Sequence, residues 1–230
     1  MRIVVTKVRN ARELSNLLPL VPQESIVLAP ENIFAKKPTR KAIDLTREHD
    51  FILFAGGTLK KLPKPYNAIW RVDKGEIVTA IRKCALWKSE KRRYAKADEW
   101  EGLQTVNNMK IAVLNCHELT KAVWVPRRGI KPLGEQIIAQ KPDMLFCPAD
   151  WVKNKWILEV GAQILGKWAK CKIAGISNKS GSAWVYIFKK GGVIKERQKL
   201  YGFITFEPTT LEIEKFIREG KRTAVQKKLL

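Results

Sequence analysis

The chain has 230 residues, of which 45% are hydrophobic and 9% aromatic, which excludes a largely unfolded chain and predicts one large domain. Its apolar runs fall far short of the roughly 20 residues that a membrane-spanning helix needs. Lysine and arginine number 44 against 22 acidic residues, which leaves a net charge of +22. Such a charge indicates nucleic acid, an anionic membrane surface or an acidic substrate as partner, or a lysine-rich surface that only solubilises the protein.

Short apolar or alternating runs, separated by Gly, Pro and Asn, recur along the chain and predict strands. In chain order these strands are 2–6, 25–29, 51–55, 68–72, 76–82, 110–115, 143–147, 172–177, 183–189 and 201–206. Helical spacing of apolar residues predicts helices at 11–18, 40–49, 133–140, 152–169 and 211–219. Alternating strands and helices predict a layered α/β domain over residues 1–207. We expect residues 208–230 to form a basic helical extension.

The cysteine pattern argues against a zinc site and against a disulfide framework. The four cysteines are widely spaced and form no CxxC pair: Cys84, Cys116, Cys147 and Cys171. Residues 1–5 predict the start of a strand and lack the features of a signal peptide. We therefore expect a cytoplasmic protein with no metal, no cofactor and no membrane partner.

Three reactive side chains follow three of the predicted strands. Glu31 comes just after strand 25–29, Lys83 directly after strand 76–82, and Cys116 directly after strand 110–115. Because the carboxyl ends of strands in α/β sheets form ligand sites, we expect the three side chains to meet at one sheet edge. A thiol at such a position has backbone N–H groups beside it that stabilise a thiolate and can bind an oxyanion. The alternative is a buried, inert cysteine and two unrelated surface charges.

The segments around these residues resemble the nitrilase, or carbon–nitrogen hydrolase, superfamily from Met1 to about Phe206. VLAPEN carries Glu31, AIRKCALWKSE carries Lys83 and Glu90, and IAVLNCHEL carries Cys116. Three further segments stand in the expected order: GGTLKKLPKPYNAIWRVDKGEIV, KPDMLFCPADW and IAGISNKSGSAWVYIFKKGGVI. The resemblance implies a four-layer α-β-β-α sandwich in which two six-stranded sheets face each other.

The resemblance also implies a mechanism. Glu31 would be the general base, and Cys116 the nucleophile that forms a covalent acyl-enzyme. Lys83 and the backbone N–H of His117 would hold the oxyanion, and Glu90 would orient Lys83 or the substrate. The implied reaction is hydrolysis of a non-peptide carbon–nitrogen bond, with an amide expected as substrate rather than a nitrile. Acyl transfer from Cys116 to another nucleophile is an alternative within the same fold.

Three more residues are expected to bind the substrate on the strength of the resemblance: His117, Glu118 and Trp151. A papain-like pairing of Cys116 with His117 is rejected, because neighbours on a strand or tight turn point away from each other. The implied partners are a small-molecule amide and a second copy of the chain, in a homodimer or a higher homo-oligomer.

The excess positive charge leaves three interpretations open. One is an anionic substrate that is steered by Arg92, Arg93 and Lys96, and another is charge that only solubilises the protein. The third is a nucleic-acid-binding or inactive interaction protein on the same fold. In the binding case, basic stripes at 82–96 and 127–131 would follow phosphates. Three aromatic side chains would then be available for base stacking: Trp87, Tyr94 and Trp124.

Overall fold

The computed structural model describes residues 1–125, 129–150, 155–190, 192–208, 210, 212–219 and 222–229. Within them lie five helices: α1 (Ala11–Leu17), α2 (Arg40–Glu48), α3 (Cys116–Ala122), α4 (Pro132–Ala139) and α5 (Lys155–Trp168). The first eight strands are β1 (Arg2–Lys7), β2 (Ser25–Leu28), β3 (Phe51–Leu59), β4 (Tyr66–Asp73), β5 (Glu76–Arg82), β6 (Leu103–Val106), β7 (Met109–Val113) and β8 (Val123–Trp124). The others are β9 (Gly129–Ile130), β10 (Met144–Ala149), β11 (Ile173–Asn178), β12 (Ala183–Lys189), β13 (Gly192–Gln198), β14 (Gly202–Glu207), β15 (Glu212–Glu219) and β16 (Arg222–Leu229).

The strands form two large sheets. The first sheet has the order β16-β15-β14-β1-β2-β3-β4-β5, and the second has the order β13-β12-β11-β10-β7-β6. Strands β1, β2 and β3 are parallel in the first sheet, and β7, β10 and β11 are parallel in the second. Because β4 is antiparallel to both β3 and β5, β5 ends at the same edge as β2 and β3. The carboxyl ends of β2 and β5 therefore share one edge of the first sheet.

Three apolar layers hold four layers of secondary structure together. Alternate residues of β1 divide between two of them: Ile3 and Val5 face the second sheet, while Val4 faces helices α1 and α2. On the outer side of the second sheet, Leu119 of α3, Ile137 of α4 and Leu165 of α5 pack in the third layer. This order of layers is the α-β-β-α sandwich, and the predicted fold class is confirmed.

Residues 208–230 differ from the prediction. Instead of a helix, β15 pairs with β14 and β16 pairs with β15, so the first sheet has eight strands rather than six. Ile213, Phe216 and Ile217 fit a helical spacing, but Ile213 is buried between the sheets and Phe216 stacks on Phe203 on the opposite face. Pairing with β14 and packing on both faces outweigh the local helical pattern.

Other differences concern elements that the sequence pattern does not reveal. Strands β6 and β13 are short or largely polar, and neither was predicted. Helix α3 begins at Cys116, where a turn was expected, and α5 is described only from Lys155 onwards. Among the described residues, no helix is both long and apolar enough to cross a membrane.

The β15–β16 hairpin provides a direct test of the corrected fold. Phe216 stacks on Phe203 with ring centroids 4.9 Å apart, while its cross-strand partner Val225 is 54% exposed. We expect Phe216→Ala to lower the free energy of unfolding by about 2–3 kcal/mol, because the substitution removes a packed aromatic ring. Val225→Ala should change it by less than about 0.5 kcal/mol. Urea denaturation measures both, and equal effects would contradict the packing of this hairpin.

Candidate active site

Glu31 lies just beyond the carboxyl end of β2 and is 1% exposed. The segment that leaves β2 stays beside β3, since the Ala29 N–H donates to Phe54 O at 2.8 Å and the Gly56 N–H donates to Pro30 O at 3.0 Å. A Cβ atom at Gly56 would lie 2.5 Å from the Cα of Glu31, so glycine is required for this approach. The backbone of β3 therefore fixes the position of Glu31.

Lys83 directly follows β5, and its side chain is completely buried. Its Nζ lies 2.7 Å from Glu31 Oε1 and 2.8 Å from Glu90 Oε1. Burial by itself would lower the pKa of Lys83, but the neighbouring carboxylates, Glu31 first, hold that pKa above its ordinary value. Lys83 is therefore an ammonium ion in a site from which water is excluded.

Cys116 is the first residue of α3 and is 3% exposed. Its Sγ lies 3.1 Å from Glu31 Oε2. Burial, and then the charge of Glu31, raise the pKa of the Cys116 thiol well above its ordinary value, although Lys83 opposes this shift. The resting group is consequently a thiol that donates a hydrogen bond to Glu31, and it needs a base in order to react.

Glu90, in a 3₁₀ turn at Glu90–Arg92, completes the cluster. Its Oε1 accepts from Lys83, and its Oε2 accepts the backbone N–H of Trp87 at 2.8 Å. The predicted residues Glu31, Lys83, Glu90 and Cys116 thus lie together, although they come from distant parts of the chain.

Asn67 is a member of the cluster that the sequence reasoning did not single out. Its Nδ2 donates to Glu31 Oε1 at 2.7 Å and lies 3.2 Å from Glu90 Oε1. Its side chain therefore bridges the two carboxylates that hold Lys83. The available signal was a polar residue, completely buried here, within the otherwise apolar start of β4.

His117 and Glu118 lie beside the cluster. The imidazole of His117 stacks on Trp87 with ring centroids 3.7 Å apart, and its Nδ1 lies 2.9 Å from Thr120 Oγ1. Burial, and then the charges of Lys83 and Lys121, lower the pKa of His117 to about 4, so its ring is neutral at pH 7.

Both carboxylate oxygens of Glu118 accept backbone N–H groups. The donors are Cys84 at 2.7 Å and Asn115 at 2.8 Å, so Glu118 links the segments that carry Lys83 and Cys116. The substrate-binding roles of His117 and Glu118 stay predictions. Trp151 lies outside the described residues.

The other cysteines have different surroundings. Cys84, Cys147 and Cys171 are all buried, and burial is the main cause that raises the pKa of each thiol. The Sγ of Cys171 contacts the carbonyl of Pro142 at 3.2 Å, whereas that of Cys116 contacts a carboxylate. Within the described part of the chain, no three His, Cys, Asp or Glu side chains are grouped so that they could hold a metal ion.

A cleft of about 980 Å³ opens beside the cluster. Cys84, Trp87 and His117 line it, together with four lysines: Lys88, Lys91, Lys96 and Lys121. The four clustered residues do not form part of its wall, but Cys84 follows Lys83 directly and His117 follows Cys116. We call this space the lysine cleft. Two of its lining residues are the sequence neighbours of residues in the buried cluster.

Several solved structures have the same architecture as this chain. No family model and no curated protein matches the sequence. XC1258 from Xanthomonas campestris, a CN-hydrolase superfamily protein, is 15% identical with a TM-score of 0.65, over 92% of each chain. Nit3 from Saccharomyces cerevisiae, a member of branch 10 of the nitrilase superfamily, is 14% identical with a TM-score of 0.62, over 86% of this chain and 90% of that one. The chain has the nitrilase fold.

A third neighbour of the nitrilase fold is an amidase from Nesterenkonia sp. AN1. Its structure shows acrylamide added at the active-site cysteine. It is 11% identical with a TM-score of 0.64, and the match covers 90% of this chain and 92% of that one. At these identities the likeness establishes the fold, so the chemistry must be argued from the residues of this chain.

The contact between Glu31 and Cys116 predicts selective alkylation. We expect iodoacetamide to label Cys116 in preference to Cys84, Cys147 and Cys171, because Glu31 can take the proton from this thiol alone. Glu31→Gln should lower the labelling rate at pH 7, since the variant lacks the carboxylate that takes the thiol proton. Peptide mass spectrometry measures both, and equal labelling of all four thiols would contradict the assignment.

The low pKa of His117 predicts a pH dependence of stability. Between about pH 4 and its ordinary value of 6.5, the unfolded chain binds a proton that the folded chain does not. The contribution of His117 to stability is therefore complete above pH 6.5 and is lost as the pH falls towards 4. We expect His117→Gln to remove about 2 kcal/mol from the decrease in unfolding free energy between about pH 7 and pH 4.5.

Urea denaturation at the two pH values measures this difference. The assignment is wrong if His117→Gln retains the full pH dependence of the unaltered protein.

Proposed function

We propose that the chain is a carbon–nitrogen hydrolase, an amidase that acts through an acyl-enzyme on Cys116. The observation that supports this proposal is the position of the Glu31 carboxylate, which lies 3.1 Å from the thiol of Cys116 and 2.7 Å from the ammonium of Lys83. A base, a nucleophile and a cation that can stabilise an oxyanion thus share one buried site. The fold is shared with an amidase that carries its adduct on a cysteine.

In the first half-reaction, Cys116 attacks the carbonyl carbon of the amide. The thiol proton passes to Glu31 Oε2 as the carbon–sulfur bond forms, which avoids a free thiolate in a buried site. The carbonyl electrons move to oxygen, and Lys83 and the backbone N–H of His117 stabilise the resulting oxyanion. That N–H belongs to the first turn of α3, where the backbone has no helical acceptor. Collapse of the adduct breaks the carbon–nitrogen bond, and the leaving amine takes the proton from Glu31.

In the second half-reaction, water hydrolyses the thioester. Glu31 removes a proton from the water molecule as its oxygen attacks the acyl carbon. The same groups, Lys83 and the N–H of His117, hold the second oxyanion. The carbon–sulfur bond then breaks, and the sulfur of Cys116 recovers its proton from Glu31. The balance is one amide and one water consumed, with one carboxylic acid and one amine formed, and no cofactor takes part.

Glu90 and Asn67 are positioning residues in this proposal. Glu90 accepts a hydrogen bond from Lys83 at 2.8 Å, and Asn67 donates to Glu31 on the same oxygen that binds Lys83. Oε2 of Glu31 is therefore the oxygen that faces Cys116, while Oε1 is occupied by the two donors. This division assigns proton transfer to one oxygen and anchoring to the other.

The test removes the nucleophile and the cation separately. Cys116→Ala should fold normally and release no ammonia from a panel of small amides, because no acyl-enzyme can form. Lys83→Met should lower kcat by roughly 10²–10³-fold or more, as expected when one oxyanion donor is lost. An enzyme-coupled ammonia assay measures both, and mass spectrometry of the trapped thioester identifies the acylated residue.

Matched variants exclude a general loss of structure. Cys171→Ala makes the same change at another buried thiol and should retain full activity, while Glu90→Gln should fold normally and lose most activity. Circular dichroism checks the fold of each variant. Turnover at the original rate by either Cys116→Ala or Lys83→Met would overturn the proposal, and product formation from an added amine in place of water would show acyl transfer instead.

A further inference from the structure

The lysine cleft is connected to the catalytic cluster in two ways. His117, on its wall, is joined to Cys116 by a peptide bond, and Trp87, also on its wall, donates its backbone N–H to Glu90. The rings of Trp87 and His117 stack on each other at 3.7 Å. A molecule in the cleft therefore contacts residues that adjoin the nucleophile and the acid that holds Lys83.

The charge of the cleft is mainly positive. Lys88, Lys91 and Lys96 come from the segment after β5, and Lys121 comes from α3, five residues after Cys116. All four side chains are exposed. Two acidic residues, Asp98 and Glu99, also line the cleft, so the four lysines leave an excess of two positive charges.

Within the described residues, the four cleft lysines have no carboxylate partner, and the same is true of other surface cations such as Lys167 and Lys172. Elsewhere, Arg40 pairs with Asp44 at 3.1 Å. Unpaired like charges around one concave surface raise the local potential and attract an anion.

A second hollow continues this positive surface. It has a volume of about 610 Å³, shares Trp87 and Lys88 with the lysine cleft, and adds Arg92 and Arg93. The structure therefore separates the residues of the original steering hypothesis: Lys96 lines the cleft, whereas Arg92 and Arg93 line the neighbouring hollow. Lys121 is a cleft residue that the sequence reasoning did not include.

We propose that the lysine cleft binds a dianionic group of the phosphate class on the amide substrate, an inference that rests on the proposed hydrolase function. A single carboxylate balances one positive charge, whereas the lining of the cleft carries an excess of two. Lysine ammonium groups bind phosphate as point charges, and a cleft of this volume accepts a small molecule. The cleft lysines would hold the anionic end while the amide reaches Cys116.

The test compares three amides of similar length that differ in charge: butanamide, succinamate and 3-phosphonopropanamide. We expect kcat/KM to rise in that order, with the phosphonate at least about tenfold above the neutral amide. The advantage of the phosphonate should shrink as ionic strength rises, because the exposed lysines are screened over about 8 Å at physiological salt. Equal kcat/KM for the three amides at low salt would overturn the inference.

A pair of double variants locates the effect. Changing Lys96 and Lys121 together to Ser should raise KM for the phosphonate at least about tenfold, with kcat little changed and with butanamide unaffected. Changing Lys167, in the last turn of α5, and Lys172, just before β11, to Ser removes the same charge from exposed positions and should leave every constant unchanged. Equal effects of the two double variants would show that the net charge of the surface, and not the cleft, determines KM for the phosphonate, and would overturn the inference.

Binding without turnover separates this inference from the proposed function. Calorimetric titration of Cys116→Ala with 3-phosphonopropanamide should show binding that is lost in the Lys96 and Lys121 variant. If this binding is seen but the unaltered protein hydrolyses no amide of the panel, the cleft is supported and the hydrolase refuted. Hydrolysis of amides with no phosphonate binding would do the reverse. Salt-resistant, sub-micromolar binding of random-sequence DNA that depends on Lys96 and Lys121 would overturn the small-molecule inference in favour of nucleic acid.

Discussion

The site depends on the ion pairs that the buried ammonium of Lys83 forms with Glu31 and Glu90. An ion of this kind loses several kcal/mol of hydration when it leaves water, and it is tolerated only with close counter-charges and satisfied hydrogen bonds. Glu31 and Glu90 supply the charges, and Asn67 bridges the two carboxylates. Removing Lys83 would leave two carboxylates without their cation, and removing either carboxylate would leave the ammonium with a single counter-charge. Lys83 therefore fixes the position of the turn that carries Glu90 as well as that of the segment that carries Glu31.

The two sheets supply the rigidity that this interaction needs. Glu31 and Lys83 follow strands of the first sheet, while Cys116 follows β7 of the second. The contact of 3.1 Å between Glu31 and Cys116 therefore spans the interface between the sheets. Its length depends on the apolar layer between the sheets, to which Ile3, Val5 and Phe146 contribute. The packing of the two sheets against each other thus sets the distance between Glu31 and Cys116 at the edge of the sheets.

Strand ends were the part of the site that could be predicted from sequence. Glu31, Lys83 and Cys116 each follow a predicted strand, and the rule that such strand ends form ligand sites predicts that the three side chains lie close together. Asn67 was missed as a site residue because its role depends on which side chains face it across the site, and the contacts of Glu118 with two backbone N–H groups were not predicted for the same reason. These contacts join segments that are distant in sequence, so no local pattern contains them.

In the fold, too, elements that depend on local sequence were predicted, and elements that depend on distant partners were not. Strands such as β5 and β12 were predicted with the bounds observed, because their composition and periodicity are local properties. The hairpin of β15 and β16 was predicted as a helix, because Ile213 and Phe216 satisfy helical spacing and only the partner strand β14 decides between the two structures. The four-layer order was predicted from the family resemblance; it could not have been read from strand spacing alone.

The hydrogen bond between Trp87 and Glu90 joins the wall of the lysine cleft to the buried cluster around Lys83. Trp87 stacks on His117 beside Cys116, which is 3% exposed, and its own N–H donates to Glu90, which accepts from Lys83. A displacement of the Trp87 backbone would remove the hydrogen bond that its N–H donates to Glu90, and with it one support of the Lys83 ammonium. In the proposed hydrolase, the wall of the lysine cleft and the cation that stabilises the oxyanion are therefore coupled through a single backbone N–H.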